Sequence, residues 1–255
     1  MKDEPFLVLA SGSPRRRELL EHVGLSFLVR PADIDETRQP AEAPQELVER
    51  LARGKAHACA ATLRSPASTA LKPSGEDMAS LSPTSEPSRR IIVLAADTIV
   101  WTDDGAVLGK PADEADARRT LQGLSGRIHH VSTGVCLLEL PAPEGAASAS
   151  SSPLAERSFV ETTDVTFCEL TPSQIAAYVR SREPMDKAGS YGIQGLGVML
   201  VKSIRGDYDN VVGLPVSRVV RELAELWDAS ATSGSSMALV ETLLSGGKHD
   251  PGADH

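Results

Sequence analysis

Aromatic residues and cysteines are both scarce in this chain of 255 residues. Aromatic residues make up 4% of it, so a core has to be built mainly from Leu, Val, Ile and Ala. The three cysteines, Cys59, Cys136 and Cys168, are widely spaced and form no C-x-x-C pair. This spacing indicates neither a zinc site nor a disulfide framework. We therefore expect three buried thiols in a reducing compartment.

Positive charge is also in short supply, since 26 Lys and Arg face 35 Asp and Glu for a formal net charge of −9. Non-specific binding to nucleic acid needs a basic footprint, so we expect no nucleic-acid partner. The overall charge does not exclude an anionic small molecule, because a few cations that converge in one cleft set the local field.

Long apolar runs are missing as well. The apolar run nearest the N-terminus, at Phe6–Ala10, has about five residues and is too short for the core of a signal peptide. No stretch approaches the roughly 20 apolar residues of a membrane span. We expect a soluble, cytoplasmic protein without a membrane partner.

Two segments and the C-terminal part differ in composition from the rest. Residues 64–90 and 141–157 are rich in Ser, Pro and Ala, and residues 229–255 are similar apart from a short possible helix at Met237–Leu244. Such sequences bury too little apolar surface to offset the entropy lost on ordering. We expect two low-complexity surface insertions and a flexible tail around one domain at residues 5–228.

The remaining residues alternate between strand and helix patterns, which is typical of an α/β fold. The sequence predicts strands at 6–10, 91–96, 128–138, 159–170 and, interrupted by glycines, 188–213; it predicts helices at 14–24, 44–62, 113–124, 172–179 and 215–227.

A Ser-Gly-Ser-Pro-Arg-Arg cluster at residues 11–16 joins the first strand to the first helix. Free backbone N–H groups and the helix dipole favour an anion at such a point, and the Ser11 and Ser13 hydroxyls with the Arg15 and Arg16 guanidinium groups suit phosphate oxygens. The alternative is an ordinary helix N-cap followed by solvated arginines.

Asp97 follows directly after the apolar run Ile91–Ala96. A carboxylate at the end of a buried strand lies where open α/β sheets bind their ligands, although a structural turn or cap is the alternative. Glu36, Lys55 and Lys110 are single charged residues whose neighbours in sequence form no recognisable functional motif. Lys55 is the most informative of them because it is in helical register with inward-facing leucines.

The glycine-rich segment Tyr191–Gly197 has the spacing G-x-x-G-x-G, which differs from the dinucleotide-binding fingerprint. It favours a turn that lets the backbone approach a ligand, where the Gln194 amide could recognise a base. His129 and His130 are adjacent in a predicted strand, so their side chains should point to opposite faces and should not share a metal.

These clusters, in this order, resemble the Maf family of nucleotide pyrophosphatases. The resemblance is carried by eight blocks: LASGSPRRRELL (9–20), DIDETRQP (33–40), LARGKA (51–56), AADTIV (95–100), LGKP (108–111), LSGRIHHVSTGV (124–135), DKAGSYGIQGLG (186–197) and VVGLP (211–215). It spans nearly the whole chain outside the insertions and the tail. It implies a two-lobed, ITPase-like α/β fold around a long mixed β-sheet.

The resemblance also implies an activity and a set of residues. Members hydrolyse nucleoside triphosphates to the monophosphate and pyrophosphate with a divalent metal, usually Mg²⁺, with Mn²⁺ as an alternative, and they often form dimers. By position, Asp97 matches the proton-accepting catalytic residue. The other matches are Arg15, Thr98 and Gln194 for substrate choice, Ser11, Ser13, Arg16, Lys55 and Lys110 for phosphate, and Glu36 with Asp97 for the metal, with Asp35 as the neighbouring alternative to Glu36.

The Tyr-Gly-Ile-Gln-Gly segment resembles the branch that acts on dTTP and UTP, and this implies a house-cleaning enzyme for these or modified pyrimidine triphosphates. One alternative is the same chemistry on 7-methyl-GTP or another modified nucleotide. Another is a non-catalytic nucleotide-binding module linked to cell division. In the implied reaction Asp97 activates a water that attacks the α-phosphorus. An ordinary aspartate is a weak base at neutral pH, so a metal or partial burial has to assist it.

Overall fold

A computed structural model describes residues 5–64, 90–141, 153–229 and 238–245. These residues form an α/β fold, as the sequence predicts. The strands are β1 (Phe6–Leu9), β2 (Leu28–Val29), β3 (Ile91–Trp101), β4 (Val107–Leu108), β5 (Ile128–Leu140), β6 (Ala155–Phe167) and β7 (Val201–Arg205). The helices are α1 (Pro14–His22), α2 (Pro44–Arg64), α3 (Glu114–Leu124), α4 (Pro172–Arg180), α5 (Tyr208–Val212), α6 (Val216–Ala229) and α7 (Ala238–Leu244).

All described strands belong to one mixed sheet in the order β2-β1-β3-β5-β6-β7, with β4 beside the far end of β3. β1 runs parallel to β2 and β3, whereas the other pairs are antiparallel. The long strands β3, β5 and β6 therefore continue past the end of β1 and connect two lobes.

The first lobe buries both faces of the sheet. Residues such as Leu94 and Leu137 pack on one face against α1 and α6, and Val93 and Leu138 pack on the other against α2. Burial on both faces explains why the first half of β3 reads as an uninterrupted apolar run.

The second lobe packs α3 and α4 against the far ends of the strands, around Val100, Val165 and Phe167. The starts of both helices are capped by side chains. The Asp113 side chain accepts the Asp116 N–H, and Thr171 with Gln174 forms a capping box.

Three regions show the largest differences from the sequence-based predictions. β3 runs on to Trp101, so Asp97 lies inside a strand and not at its end, because β5 continues the pairing opposite it. β6 begins at Ala155, within the expected second insertion, because Ala155 pairs with Glu139. Residues 188–213 hold short 3₁₀ helices, β7 and α5 in place of a run of strands.

Much of both expected insertions and of the tail, at 65–89, 142–152, 230–237 and 246–255, lies outside the described residues. Within the tail, α7 occupies the position predicted for a short helix, and Leu239 and Leu243 pack against the core of the first lobe. No helix in the described ranges is long and apolar enough to cross a membrane.

The cysteines follow the expected pattern in part. Cys59 and Cys136 are buried, whereas Cys168 is half-buried. Burial raises the pKa of Cys59 to about 11 and that of Cys136 to about 12, so both thiols stay protonated at neutral pH.

Candidate active site

A cleft with a volume of about 390 Å³ lies between the two lobes. It is lined by polar residues from four places in the chain: the start of α1, the middle of β3, the loop before α3 and the segment 183–195. The predicted site residues among its lining are Ser13, Arg15, Arg16, Thr98, Lys110 and Gln194. Apolar side chains such as Val100, Val131 and Ile193 complete the wall, so the cleft combines cationic groups with an apolar surface.

A charged cluster lies on the opposite face of β3. Lys55 Nζ is 2.5 Å from Asp97 Oδ1 and 2.5 Å from Glu36 Oε1. The Lys55 and Asp97 side chains are each 13% exposed, whereas that of Glu36 is 59% exposed. One ammonium group thus connects a carboxylate on the sheet with a carboxylate on an exposed loop. The structure brings these three predicted residues together, and it confirms that Lys55 lies on the inner face of α2.

Gly134 on β5 determines how closely α2 can approach this cluster. It is the cross-strand partner of Asp97, and a Cβ at this position would lie 2.3 Å from the carbonyl oxygen of Val48 on α2. The backbone of the helix therefore lies directly on the strand. Lys55 follows Val48 by about two helical turns, so this contact places its side chain over Asp97.

The two faces of the site meet at an open edge of β3. β1 pairs with β3 as far as Leu94, and β4 begins to pair with it at Val100. Within the described residues, 95–99 have no strand partner on that side. The cleft on the Thr98 face and the Asp97 carboxylate on the other face therefore lie on either side of this edge, which Arg16 binds at Ala96 O.

Arg16 is buried and binds mainly to the protein itself. Its guanidinium group donates to Ala96 O and Gly213 O, each at 2.9 Å, to Ser11 Oγ at 3.0 Å and to Thr98 Oγ1 at 2.9 Å. Burial lowers the pKa of Arg16, and the negative charge of Asp97 opposes this effect. Since four of its five N–H groups are used in this way, Arg16 fixes α1 to the edge of β3 and has one donor left for a ligand.

Ser11 and Thr98 support that arrangement. Ser11 is buried and does not line the cleft, because it lies behind Arg16. Thr98 Oγ1 also contacts Thr133 Oγ1 at 2.9 Å. Sequence reasoning associated both residues with the ligand, and it missed their role as partners of an arginine five or more residues away.

Arg15 and Lys110 differ from Arg16. Both line the cleft, and neither makes a hydrogen bond or an ion pair within the described part of the chain. Ser13 is the residue directly before α1, and its side chain caps no helix N–H. Arg15 and the Ser13 hydroxyl therefore face the cleft at the start of α1, where the dipole adds to their attraction for an anion, and Lys110 faces it from the loop before α3.

The segment from Glu183 to Gly197 forms the wall facing α1. It contains 3₁₀ helices at Glu183–Asp186, Ala188–Ser190 and Gly195–Leu200, and Gln194 lies exposed between the last two. Lys187 donates to Glu183 O at 2.7 Å and to Asp186 Oδ1 at 2.6 Å, so its side chain belongs to this wall.

Tyr191 anchors this wall in the second lobe. Its hydroxyl lies 2.9 Å from His129 Nε2, and both rings pack edge-to-face on Phe167. Burial lowers the pKa of His129 to about 4, so the imidazole is neutral. His130 points to the other face, where it contacts Asp103 and Asp164 at 2.8 Å each. This confirms the expectation that the two side chains point to opposite faces of the strand.

The residues around Asp97 fit a divalent cation that keeps part of its water shell. The described residues contain no cluster of three or more His, Cys, Asp and Glu arranged to hold a metal. Asp97 and Glu36 nevertheless converge on one cation, Lys55. Two carboxylates, with phosphate oxygens and waters as further ligands, match the way that Mg²⁺ binds in proteins.

Glu183, Tyr178 and Gly134 are the residues that sequence reasoning missed. Glu183 lines the cleft, and it hydrogen-bonds to backbone groups 13 and 14 residues further along the chain. No local pattern indicates such a partnership. Gly134 could have been noticed as a glycine in the interior of a predicted strand, which is a sign of close backbone approach.

Comparison with known proteins gives consistent results. A family model described as Maf-like protein matches residues 6–226. The dTTP/UTP pyrophosphatase of Bacillus thuringiensis subsp. konkukian (strain 97-27) is 43% identical over 219 residues, which cover 86% of this chain and 94% of that protein. The dTTP/UTP pyrophosphatase of Halalkalibacterium halodurans is 45% identical over 217 residues, covering 85% and 94% respectively.

Among solved structures, a nucleoside-triphosphatase / dITP/XTP pyrophosphatase from Mycobacterium abscessus matches 88% of this chain and 94% of its own, with 12% identity and a TM-score of 0.34.

Proposed function

Because this chain belongs to the Maf family, we propose that it is a nucleoside triphosphate pyrophosphatase that converts dTTP and UTP to the monophosphate and pyrophosphate. The observation that supports this most is the joint position of Asp97 and Lys55, 2.5 Å apart, directly before Thr98 on β3, since Thr98 lines a cleft that also contains Arg15 and Lys110. A carboxylate able to accept a proton thus lies one residue along the strand from a cleft whose cations are able to hold a triphosphate. The names of the relatives, dTTP/UTP pyrophosphatase, support a substrate with a pyrimidine base.

In the proposed reaction, a water molecule attacks the α-phosphorus and the bond to the bridging oxygen of the β-phosphate breaks. Asp97 orients this water and accepts its proton. Lys55 holds the carboxylate in place and provides positive charge beside it. Arg15 and Lys110 bind the β- and γ-phosphates and stabilise the charge that develops on the leaving pyrophosphate.

Glu36 and Asp97 would hold a divalent cation, Mg²⁺ in our proposal, with Mn²⁺ as a substitute. When bound, such an ion neutralises phosphate charge and makes water a stronger acid. Homodimer formation and a cytoplasmic location stay predictions.

Gln194 would recognise the base. Its amide offers both a donor and an acceptor, which matches the adjacent carbonyl and imide groups on the edge of uracil and thymine. The apolar side chains of Val131 and Ile193 line the same cleft and can pack against the ring. Arg15 and Thr98 lie beside the cleft as further determinants of substrate choice.

The test is a panel of triphosphates with purified protein and Mg²⁺, with quantification of monophosphate and pyrophosphate. We expect equal amounts of the two products and the highest kcat/KM with dTTP or UTP. A clear preference for 7-methyl-GTP would mean that the substrate carries a different base, while the proposed reaction would stay the same. Nucleotide binding without pyrophosphate release would contradict the proposal and favour a binding module.

A further inference from the structure

Glu183 holds the loop that carries Gln194. Its Oε2 accepts the Leu196 N–H at 2.9 Å, and its Oε1 accepts the Gly197 N–H at 3.0 Å. We propose that Glu183 is a positioning residue that fixes the conformation of the loop 192–197, and that it thereby determines which bases Gln194 accepts. This inference rests on the proposed function.

The loop packs directly on the carboxylate. Gly195 has a φ of +70°, and a Cβ there would lie 2.9 Å from Glu183 Oε2. A Cβ at Gly197 would lie 2.0 Å from the carbonyl oxygen of Gly192. The glycines therefore let the chain turn back on itself around the Glu183 side chain. Gln194, between them, has its backbone direction set by this turn.

The Glu183 carboxylate is itself held in place. The hydroxyl of Tyr178 on α4 donates to Glu183 Oε1 at 2.9 Å and accepts the Gly192 N–H at 3.2 Å. Lys187 donates to the carbonyl oxygen of Glu183, and its side-chain carbons lie against Gly192. The Leu196–Gly197 end of the loop is thus bound to the Glu183 carboxylate, and the Gly192 end is bound to Tyr178 on α4, which also binds that carboxylate.

The charge state of Glu183 agrees with this role. Burial favours the neutral acid, but the N–H groups of Leu196 and Gly197 and the hydroxyl of Tyr178 favour the anion, and the pKa of Glu183 falls below its ordinary value of 4.5. Two backbone N–H groups that point at one carboxylate require an acceptor on both oxygens. An amide in place of the carboxylate would turn a donor towards one of them.

The direct test is Glu183→Gln, which keeps the size of the side chain. The loss of one backbone hydrogen bond in a partly buried loop should raise KM for dTTP about tenfold. We expect the ratio of kcat/KM between dTTP and dGTP to fall by a similar factor. Turnover at saturation should change little, and inhibition by inorganic pyrophosphate should be unchanged, because neither depends on the base.

Two further variants separate this role from general destabilisation. Tyr178→Phe removes one donor to the same carboxylate, and it should change the base ranking in the same direction by a smaller factor. Glu222→Gln on α6, whose carboxylate pairs with Arg157 at 3.1 Å, changes the same group outside the cleft and should leave the ranking unchanged. Thermal denaturation of each variant shows whether it is folded.

An unchanged KM and base ranking in folded Glu183→Gln would overturn the inference. So would an equal loss for all nucleotides together with weaker inhibition by pyrophosphate. The proposed function fails separately, if the wild-type protein releases no pyrophosphate from any triphosphate. In that case dTMP binding measured by calorimetry decides: weaker binding by Glu183→Gln supports the positioning role, and equal binding contradicts it.

Discussion

The two walls of the cleft are stabilised in different ways. On the wall formed by β3 and α1, with α2 packed on the far face of β3, side chains on regular elements bind to one another: Lys55 pairs with Asp97, and Arg16 connects α1 to β3. On the wall formed by residues 183–197, a side chain binds backbone N–H groups of an irregular segment. The first arrangement, which we call the catalytic wall, fixes charges at short distances, as bond cleavage requires. The second, residues 183–197, which we call the selective wall, fixes the path of a loop, as base recognition requires. We infer that catalysis and selectivity can be altered independently.

The largest expected effect is on the catalytic wall. Asp97→Asn removes the proton acceptor and keeps the shape of the side chain, so kcat should fall by roughly 10²- to 10⁴-fold while nucleotide affinity is retained. Steady-state kinetics and calorimetry measure the two quantities. Asp103→Asn, at an exposed carboxylate beside His130, is the matched control and should keep its turnover. Wild-type-like turnover in Asp97→Asn would remove Asp97 from the role of base.

Gly134→Ala tests whether the catalytic wall depends on close packing. The added Cβ would overlap the backbone of α2, so the protein should lose about 1–3 kcal/mol of stability or more. A shift of α2 also moves Lys55 away from Asp97, and a misplacement of about 1 Å can cost on the order of 10²-fold in rate.

Gly123→Ala on α3 is the control for that variant, because a Cβ there meets nothing within 4 Å. It should be neutral or stabilising by up to about 1 kcal/mol. If both variants show the same melting temperature and kcat as the wild type, the helix does not position Lys55 through this contact.

Gln194→Glu tests the selective wall. The carboxylate loses the donor of the amide, so the ranking of bases should change, with ratios of kcat/KM that shift by about tenfold. kcat for the best substrate should change less than in Asp97→Asn. Gln174→Glu in the exposed capping box of α4 is the control. An unchanged ranking in Gln194→Glu would show that this side chain does not read the base.

The smallest effect concerns the loop that carries Glu36. Glu42 in this loop pairs with Arg50 on α2, and that hydrogen bond lowers the pKa of Glu42 from 4.5 to about 2. Because the pKa is lowered in the folded state, the stabilisation is complete above pH 4.5 and disappears as the pH falls towards 2. The difference in melting temperature between wild type and Glu42→Gln should therefore shrink over this range. A constant difference would mean that the ion pair does not stabilise the loop.

The sequence predicts the catalytic wall better than the selective one, for a physical reason. Helical apolar periodicity indicated α2, a continuous apolar run indicated the buried part of β3, and the helical register placed Lys55 on the inner face. Residues 188–213 were predicted as strands. Their actual structure depends on hydrogen bonds from Glu183 to groups 13 and 14 residues away, and local patterns contain no information about such partners.

The individual site residues also show that local sequence patterns do not reveal distant partners. Arg15 and Arg16 are neighbours in sequence, and both were expected to bind phosphate. Only the structure shows that Arg16 donates four hydrogen bonds to groups of the protein and that Arg15 faces the cleft. A helix turns by about 100° per residue, so adjacent side chains meet different surroundings that only the tertiary structure defines.

The central claim is that water attacks the α-phosphorus beside Asp97. Hydrolysis of dTTP in water enriched in oxygen-18, followed by mass spectrometry of both products, tests it most directly. The proposed site predicts one labelled oxygen in the monophosphate and none in the pyrophosphate, with the same pattern at a much lower rate for Asp97→Asn. Label in the pyrophosphate would place the attack on the β-phosphorus and contradict the assigned roles of the two walls.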